Sequence, residues 1–281
     1  MSGVVFLLVL TAALLHAVWN ALVKGGTDKG VAMAAVVIGQ GITAAAVLPF
    51  VPAPAVECWP YLLLGIALHL GYQAFLLAAY RIGDLTQVYP IARGVAPLLV
   101  VAYSVLVLGV VLSGLEILAV AVIACGIMSL SLVVRGDGGG DKKAALLAVI
   151  TGCFIASYSI TDGIGARVAG TPLGYYGWVA LGNAALFSAF MRVRSPGLIT
   201  GAFRAWRVLV IGGGASFIAY GLVVYAFTVA PIALVTALRE TSIVFALLIG
   251  VVALKEPLKL MKVVSTMLTL FGAALLRLSK G

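Results

Sequence analysis

The chain has 281 residues, 63% of them hydrophobic and only 10% charged, and a mean hydropathy of +1.21. A soluble domain is roughly 45–50% apolar and about 25% charged, so the composition excludes a soluble fold and points to an all-α integral membrane protein. Eighteen Lys and Arg against nine Asp and Glu give a net charge of +9, but the basic residues flank apolar spans, which speaks for membrane topology and against nucleic acid.

About 20 apolar residues cross a bilayer as a helix. Such segments recur at 4–23, 30–51, 60–80, 85–108, 114–134, 143–163, 173–192, 206–228, 231–253 and 258–278, which predicts ten transmembrane helices. Their connections are short and marked by Gly or Pro, as in GGTDKG, PAPAVECWP and KEP. Pro60, Pro172, Pro231 and Pro257 fall at helix starts, where a missing N–H costs little. The first residues, MSGVVFLLVL, lack the basic region of a removable signal peptide, and apolar spans continue to the far end.

Polar side chains inside these spans are the candidates for function. In the first span His16 and Asn20 stand one helical turn apart, with Trp19 beside them. The third carries His69, Tyr72 and Gln73. The fourth, LTQVYPIARGVAPLLVVAYSVLVL, holds Tyr89 and Arg93, with Arg93 between Pro90 and Pro97. Pro97 has no N–H, so the Arg93 carbonyl loses its helix partner. A charge and a freed carbonyl at membrane depth need protein or a water-filled cavity around them.

In the second half Tyr158, Tyr220 and Tyr225 add phenols, and the ninth span carries Arg239 beside Glu240. Consecutive helix positions point about 100° apart, so those two need not pair; Arg93 is the alternative partner for Glu240. The other acids, namely Asp28, Glu57, Asp84, Glu116, Asp137, Asp141, Asp162 and Glu256, read as span-end residues. Tyr80, Tyr175, Tyr176, Trp59 and Trp206 read as interface anchors. Gly212-Gly213-Gly214 lacks the Lys-Ser/Thr of a phosphate loop and fits close helix packing. Cys58, Cys125 and Cys153 show no metal spacing and are expected as free, buried thiols. No cofactor, metal or catalytic motif is present, so neither an enzyme nor an ATP-driven pump is expected.

The loop RGDGGGDKK, 135–143, divides the chain into residues 1–134 and 144–281. His16-Ala-Val-Trp19-Asn20 aligns weakly with Ile155-Ala-Ser-Tyr158-Ser159, and Arg93 with Arg239. Five spans per half is an odd number, so the second half runs inverted. Two inverted five-helix repeats place a central cavity near the midplane and allow alternating access. Arg93 and Arg239 would hold the carboxylate or phosphate of an anionic or zwitterionic solute. His16, Asn20 and Gln73 would hydrogen-bond it, with Trp19 and the tyrosines as walls. If protons are the coupling ion, Glu240 is the best-placed carboxylate, with His16 second.

The pattern resembles the drug/metabolite transporter superfamily, EamA type. The likeness rests on the Trp-containing first span AALLHAVWNALVK, on the ending LKEPLKLMKVVSTMLTLFGAALL with Glu256 at the acidic turn position, and on two five-span halves. In the first half that turn reads LSGLE, and Trp19-Asn20 stands where the family commonly has Trp-Gly. The resemblance implies a multi-pass inner-membrane secondary transporter, monomeric or homodimeric, that moves small metabolites such as amino acids, commonly outward. A lipid-linked-sugar flippase and an exporter of organic cations are the alternatives. It also implies termini inside the cell. The basic residues instead concentrate in the connections after spans 1, 3, 5, 7 and 9, from Lys24, Lys29 and Arg81 to Lys255, Lys259 and Lys262. Only Arg167, Arg277 and Lys280 lie opposite, which places both termini outside. Labelling of a C-terminal cysteine by an impermeant reagent on intact cells decides between the two.

Overall fold

The computed structural model describes residues 1–24, 28–83, 85–130, 142–252 and 260–279. Most of the 135–143 loop, and with it Asp84, Asp137, Asp141, Lys255, Glu256, Pro257 and Lys259, lies outside the described residues. Within them the regular structure is entirely helical. In chain order the helices are α1 (Gly3–Lys24), α2 (Lys29–Val47), α3 (Trp59–Ile82), α4 (Leu85–Leu106), α5 (Gly114–Met128), α6 (Lys142–Val168), α7 (Pro172–Arg194), α8 (Pro196–Arg204), α9 (Gly213–Val229), α10 (Ile232–Arg239), α11 (Ser242–Val252) and α12 (Leu260–Leu278).

Local chemistry sets the helix ends. The Asp28 carboxylate accepts from the Gly30 and Val31 N–H groups and caps α2. Ser113 and Glu116 form a reciprocal capping box at the start of α5. Thr171 caps α7 and Pro172 opens it. Gly170, at φ +70°, turns the chain between α6 and α7 in a conformation that favours glycine.

Among the described residues, eight segments are long and apolar enough to cross a membrane. The helix α5 is apolar but short as described, at 15 residues. The helix α7 is not among the eight despite its 23 residues, because Tyr175, Tyr176 and Asn183 lower its hydropathy. The outer faces carry exposed Leu7, Leu63, Leu118 and Phe271, while Arg93, Asp162, Arg239 and Glu240 are buried. Apolar outside with charge inside is what a bilayer solvent selects. Cys125 and Cys153 lie on that outer surface, so only Cys58 is the buried free thiol expected.

The main packing pairs are α3 with α6 and α7, α4 with α5, α6 and α10, α1 with α9, α10 and α11, α2 with α7 and α9, and α5 with α12. Two features depart from the sequence reading. The ninth apolar segment is not one helix; it breaks into α10 and α11 at Glu240-Thr241. The connection after α7 contains the short helix α8, followed by a wide π-helical turn, Val208–Gly212. That turn presses on α2. A Cβ added at Gly39 would overlap the Leu209 carbonyl and lie 3.0 Å from the Gly213 Cα. Gly214 has nothing within 4 Å of its Cβ position.

Gly39→Ala should therefore lower the thermal midpoint of the purified protein, by about 1–3 kcal/mol of overpacking. Gly214→Ala should leave it unchanged or raise it, through better helix propensity. Equal midpoints for the two variants would contradict the crossing of α2 over the π turn.

Candidate functional site

The break between α10 and α11 places charge at the centre of the bundle. Residues 240 and 241 close it with tight backbone bonds, Glu240 N–H to the Ala237 carbonyl at 3.1 Å and Thr241 N–H to Leu238 at 3.0 Å. Arg239 is the last residue of α10, a position the helix dipole favours for a cation. Across from it, on α4, the Arg93 Nε donates to Glu240 Oε2 at 2.8 Å, and its Nη2 reaches Ser242 Oγ at 3.5 Å. The Arg93 guanidinium also lies 5.7 Å from the Tyr89 ring centre.

Arg239 is left differently. It is 3% exposed, and its Nε stands 4.0 Å from Glu240 Oε1. That distance allows Coulomb attraction but is too long for a hydrogen bond. Among the described residues the Arg239 Nε and Nη2 and the Glu240 Oε1 all lack hydrogen-bond partners. The guanidinium faces the Tyr220 ring at 5.8 Å. Two buried cations thus share one carboxylate, and the second cation keeps open donors beside an open acceptor.

Tyr220 joins this cluster to a second one, around Asp162. The Asp162 carboxylate accepts from the Tyr220 hydroxyl at 2.8 Å and from the Tyr175 hydroxyl at 3.2 Å. Its Oδ2 also meets His69 Nε2 at 2.8 Å. The His69 ring stacks on Tyr158 at 4.2 Å, and Tyr72 meets Tyr158 edge-on at 5.6 Å. Gln40 on α2 extends the network to Ser216 Oγ at 2.7 Å and the Tyr176 hydroxyl at 3.4 Å.

Of the residues singled out from sequence, His69, Tyr72, Tyr89, Arg93, Tyr158, Tyr220, Arg239 and Glu240 form one connected region. His16 lies in the field of both arginines and meets Trp19 edge-on at 4.9 Å. Asn20 spends its amide on the His16 carbonyl, at 2.7 Å, within its own helix. Gln73 is buried with its Oε1 unpaired, as is the Trp19 indole nitrogen. Tyr225 stands apart, 47% exposed on the outer face of α9.

Sequence reasoning misses Asp162, Tyr175, Tyr176, Gln40 and Ser242 as members of the site. Hydropathy ends the sixth span at residue 163 and makes Asp162 an end residue, whereas α6 runs on to Val168 and leaves it fully buried. Its one legible signal is Tyr158, four positions earlier on the same face. Tyr175 and Tyr176 are buried, at 0% and 3%, and are not interface anchors. Arg167 serves the fold instead, donating to the Phe227 and Ala230 carbonyls at 2.8 and 2.9 Å and capping the end of α9. An apolar groove of about 360 Å³ between α4 and α6, lined by Leu99, Tyr103, Leu106, Cys153 and Ile160, contains none of the charged groups.

Residues 142–278 match the EamA-like transporter family. Over that second half the chain is similar to this family, which is part of the drug/metabolite transporter superfamily. It is a multi-pass membrane protein, and the family that its second half matches transports small solutes. No curated protein matches it. A solved structure described as "Crystal structure of protein" is 22% identical, with a TM-score of 0.76 over 99% of each chain, and supports the fold alone.

In this EamA-like chain the Arg93–Glu240 pair is a buried charge contact whose members depend on each other. Glu240→Gln leaves two facing guanidiniums without a counter-charge and should destabilise the protein by up to about 3–5 kcal/mol. Arg93→Met should cost less, since Arg239 is near enough to serve Glu240. The double variant should be more stable than Glu240→Gln alone in thermal unfolding. Additive losses in that cycle would contradict the pairing.

Proposed function

We infer that the chain is a secondary active transporter of small zwitterionic or anionic metabolites, amino acids and related solutes, working outward across the cell membrane by alternating access. The observation that carries this is the open pair at the break between α10 and α11: unpaired Arg239 donors within about one solute group of an unpaired Glu240 oxygen. A guanidinium fork suits a carboxylate, and the neighbouring acceptor suits the ammonium of the same molecule. Arg93 fixes Glu240 in place, while Tyr220, Tyr158 and the His16–Trp19 pair supply walls. A cation exporter would need a carboxylate without facing cations, and here Arg93 holds one Glu240 oxygen while Arg239 lies 4.0 Å from the other. A lipid-linked-sugar flippase would hold a phosphate near its lipid-facing groove, and the groove on α4 and α6 offers no cation.

Alternating access asks for two related halves, and the packing supports ten spans in two inverted repeats, residues 1–134 and 144–281. Let α1 exchange with α6, α2 with α7, α3 with α9, α4 with α10–α11 and α5 with α12. The α3–α6 contact then becomes α9–α1, α4–α6 becomes α11–α1, α4–α5 becomes α11–α12, and α3–α7 becomes α9–α2; every one of these pairs packs. The α2–α7, α5–α12 and α4–α10 contacts map onto themselves. A shared pairing scheme of this kind is what an internal repeat produces, and the break at Arg239 falls where transporter sites gather in such folds.

Purified protein in liposomes should exchange a ¹⁴C-labelled amino-acid mixture saturably. Arg239→Ala should reduce that exchange at least tenfold while its thermal midpoint without solute stays near wild type. Tyr225→Phe, on the outer face, should exchange normally. Unimpaired saturable exchange by Arg239→Ala would contradict the assignment.

A further inference from the structure

We propose that the His69–Asp162 pair is the proton-binding site of this transporter, with Tyr220 linking proton occupancy to Arg239. The inference rests on the reading of the chain as a solute transporter and moves the coupling role away from Glu240. Glu240 is a poor proton carrier by geometry, because Arg93 holds one oxygen at 2.8 Å and Arg239 lies 4.0 Å from the other. Asp162 is the contrasting carboxylate. Among the described residues its hydrogen-bond partners are an imidazole and two phenols, with no Lys or Arg.

The site is built for this contact. Gly65, one helical turn before His69 on α3, leaves room for the carboxylate, since a Cβ there would stand 2.7 Å from Asp162 Oδ1. Gly165 leaves the same kind of room for the Tyr175 hydroxyl. The carboxylate side chain is 0% exposed and the imidazole 13%, so His69 is the partner open to an arriving proton. An imidazole carrying its hydrogen on Nε2 donates to Asp162 Oδ2 and leaves Nδ1 to bond the incoming proton. The product is an imidazolium facing a carboxylate, stacked on the Tyr158 ring.

Titratable and charged groups surround the pair from each packed element. They are Tyr72 on α3, Tyr89 and Arg93 on α4, Tyr175 and Tyr176 on α7, Tyr220 on α9, Arg239 with Glu240 at the end of α10, Glu57 and Cys58 in the turn before α3, and Tyr158 and Arg167 on α6 itself. Arg167 is turned away onto the α9 carbonyls. The link to the solute runs through a shared atom. His69 and Tyr220 both bond Asp162 Oδ2 at 2.8 Å, so a charged His69 competes with Tyr220 for it. The Tyr220 ring in turn faces the Arg239 guanidinium. Proton binding on α3 and α6 thereby biases the solute group on α10, and by reciprocity solute binding biases the proton.

In liposomes loaded with the ¹⁴C-labelled amino-acid mixture, solute exchange at equal pH reads binding and rocking alone. An imposed pH difference reads coupling and should change accumulation by up to about tenfold per pH unit in wild type. His69→Gln and Asp162→Asn should lose the response to the gradient, measured relative to each variant's own exchange at equal pH. Tyr220→Phe, which retains the ring, should respond weakly to the gradient relative to its own exchange at equal pH. Exchange without any gradient response in wild type would overturn the proton site and leave the transporter reading intact; absence of exchange in wild type would overturn that reading itself. A full gradient response in His69→Gln would also sink the proposal, and this variant decides the matter should Asp162→Asn fail to fold.

Discussion

Charge buried in an apolar protein is the constraint on which the rest of this structure depends. Arg93, Arg239, Glu240 and Asp162 are each less than about one-tenth exposed in a bundle whose outer surface is apolar. Each must find partners inside or remain costly. The chain meets this demand in two ways. Arg93 and Glu240 neutralise each other across α4 and α10, and Asp162 is surrounded by hydrogen-bond donors from α3, α7 and α9. Arg239 is the exception. Its uncompensated donors are held at the end of a broken helix, where the backbone dipole and the Tyr220 ring make its burial tolerable without filling its hydrogen bonds.

The broken helix and the small residues serve that arrangement. An unbroken helix over 232–252 would carry Arg239, Glu240 and Ser242 around three sides of a cylinder. The tight turn instead lets Glu240 and Ser242 both meet Arg93. Close crossings at Gly39 with Gly213, Gly152 with the Ala92 carbonyl and Gly272 with Ile123 bring the helices near enough for these short contacts. Arg167, by contrast, completes the end of α9 and holds α6 against it, a structural use of a membrane-embedded cation.

The all-α membrane class and the presence of buried charge at Arg93, Arg239 and Glu240 are legible in the sequence because hydropathy and an out-of-place charge are local signals. The Arg93–Glu240 contact is one open alternative there, and only the placement of α4 beside α10 selects it. Asp162 is not legible as a hub. Its partners lie on three other helices, and ending α6 five residues early turns a buried carboxylate into an apparent surface one. The break at Glu240-Thr241 leaves no Gly or Pro mark, because it is closed by side-chain pairing and tight turns. Tyr225 shows the reverse failure: a phenol in the right span but on the wrong face, which hydropathy alone does not reveal.

Arg239 stands at the centre of the proposed mechanism, as the open cation of a site for negatively charged groups. The most direct test is thermal unfolding of the purified protein against solutes grouped by charge. A solute at 100 times its dissociation constant adds about 2.7 kcal/mol to the bound state. Zwitterionic amino acids or organic anions should stabilise the wild type and should not stabilise Arg239→Ala. Stabilisation by organic cations alone, or stabilisation by anions that survives in Arg239→Ala, would contradict that role.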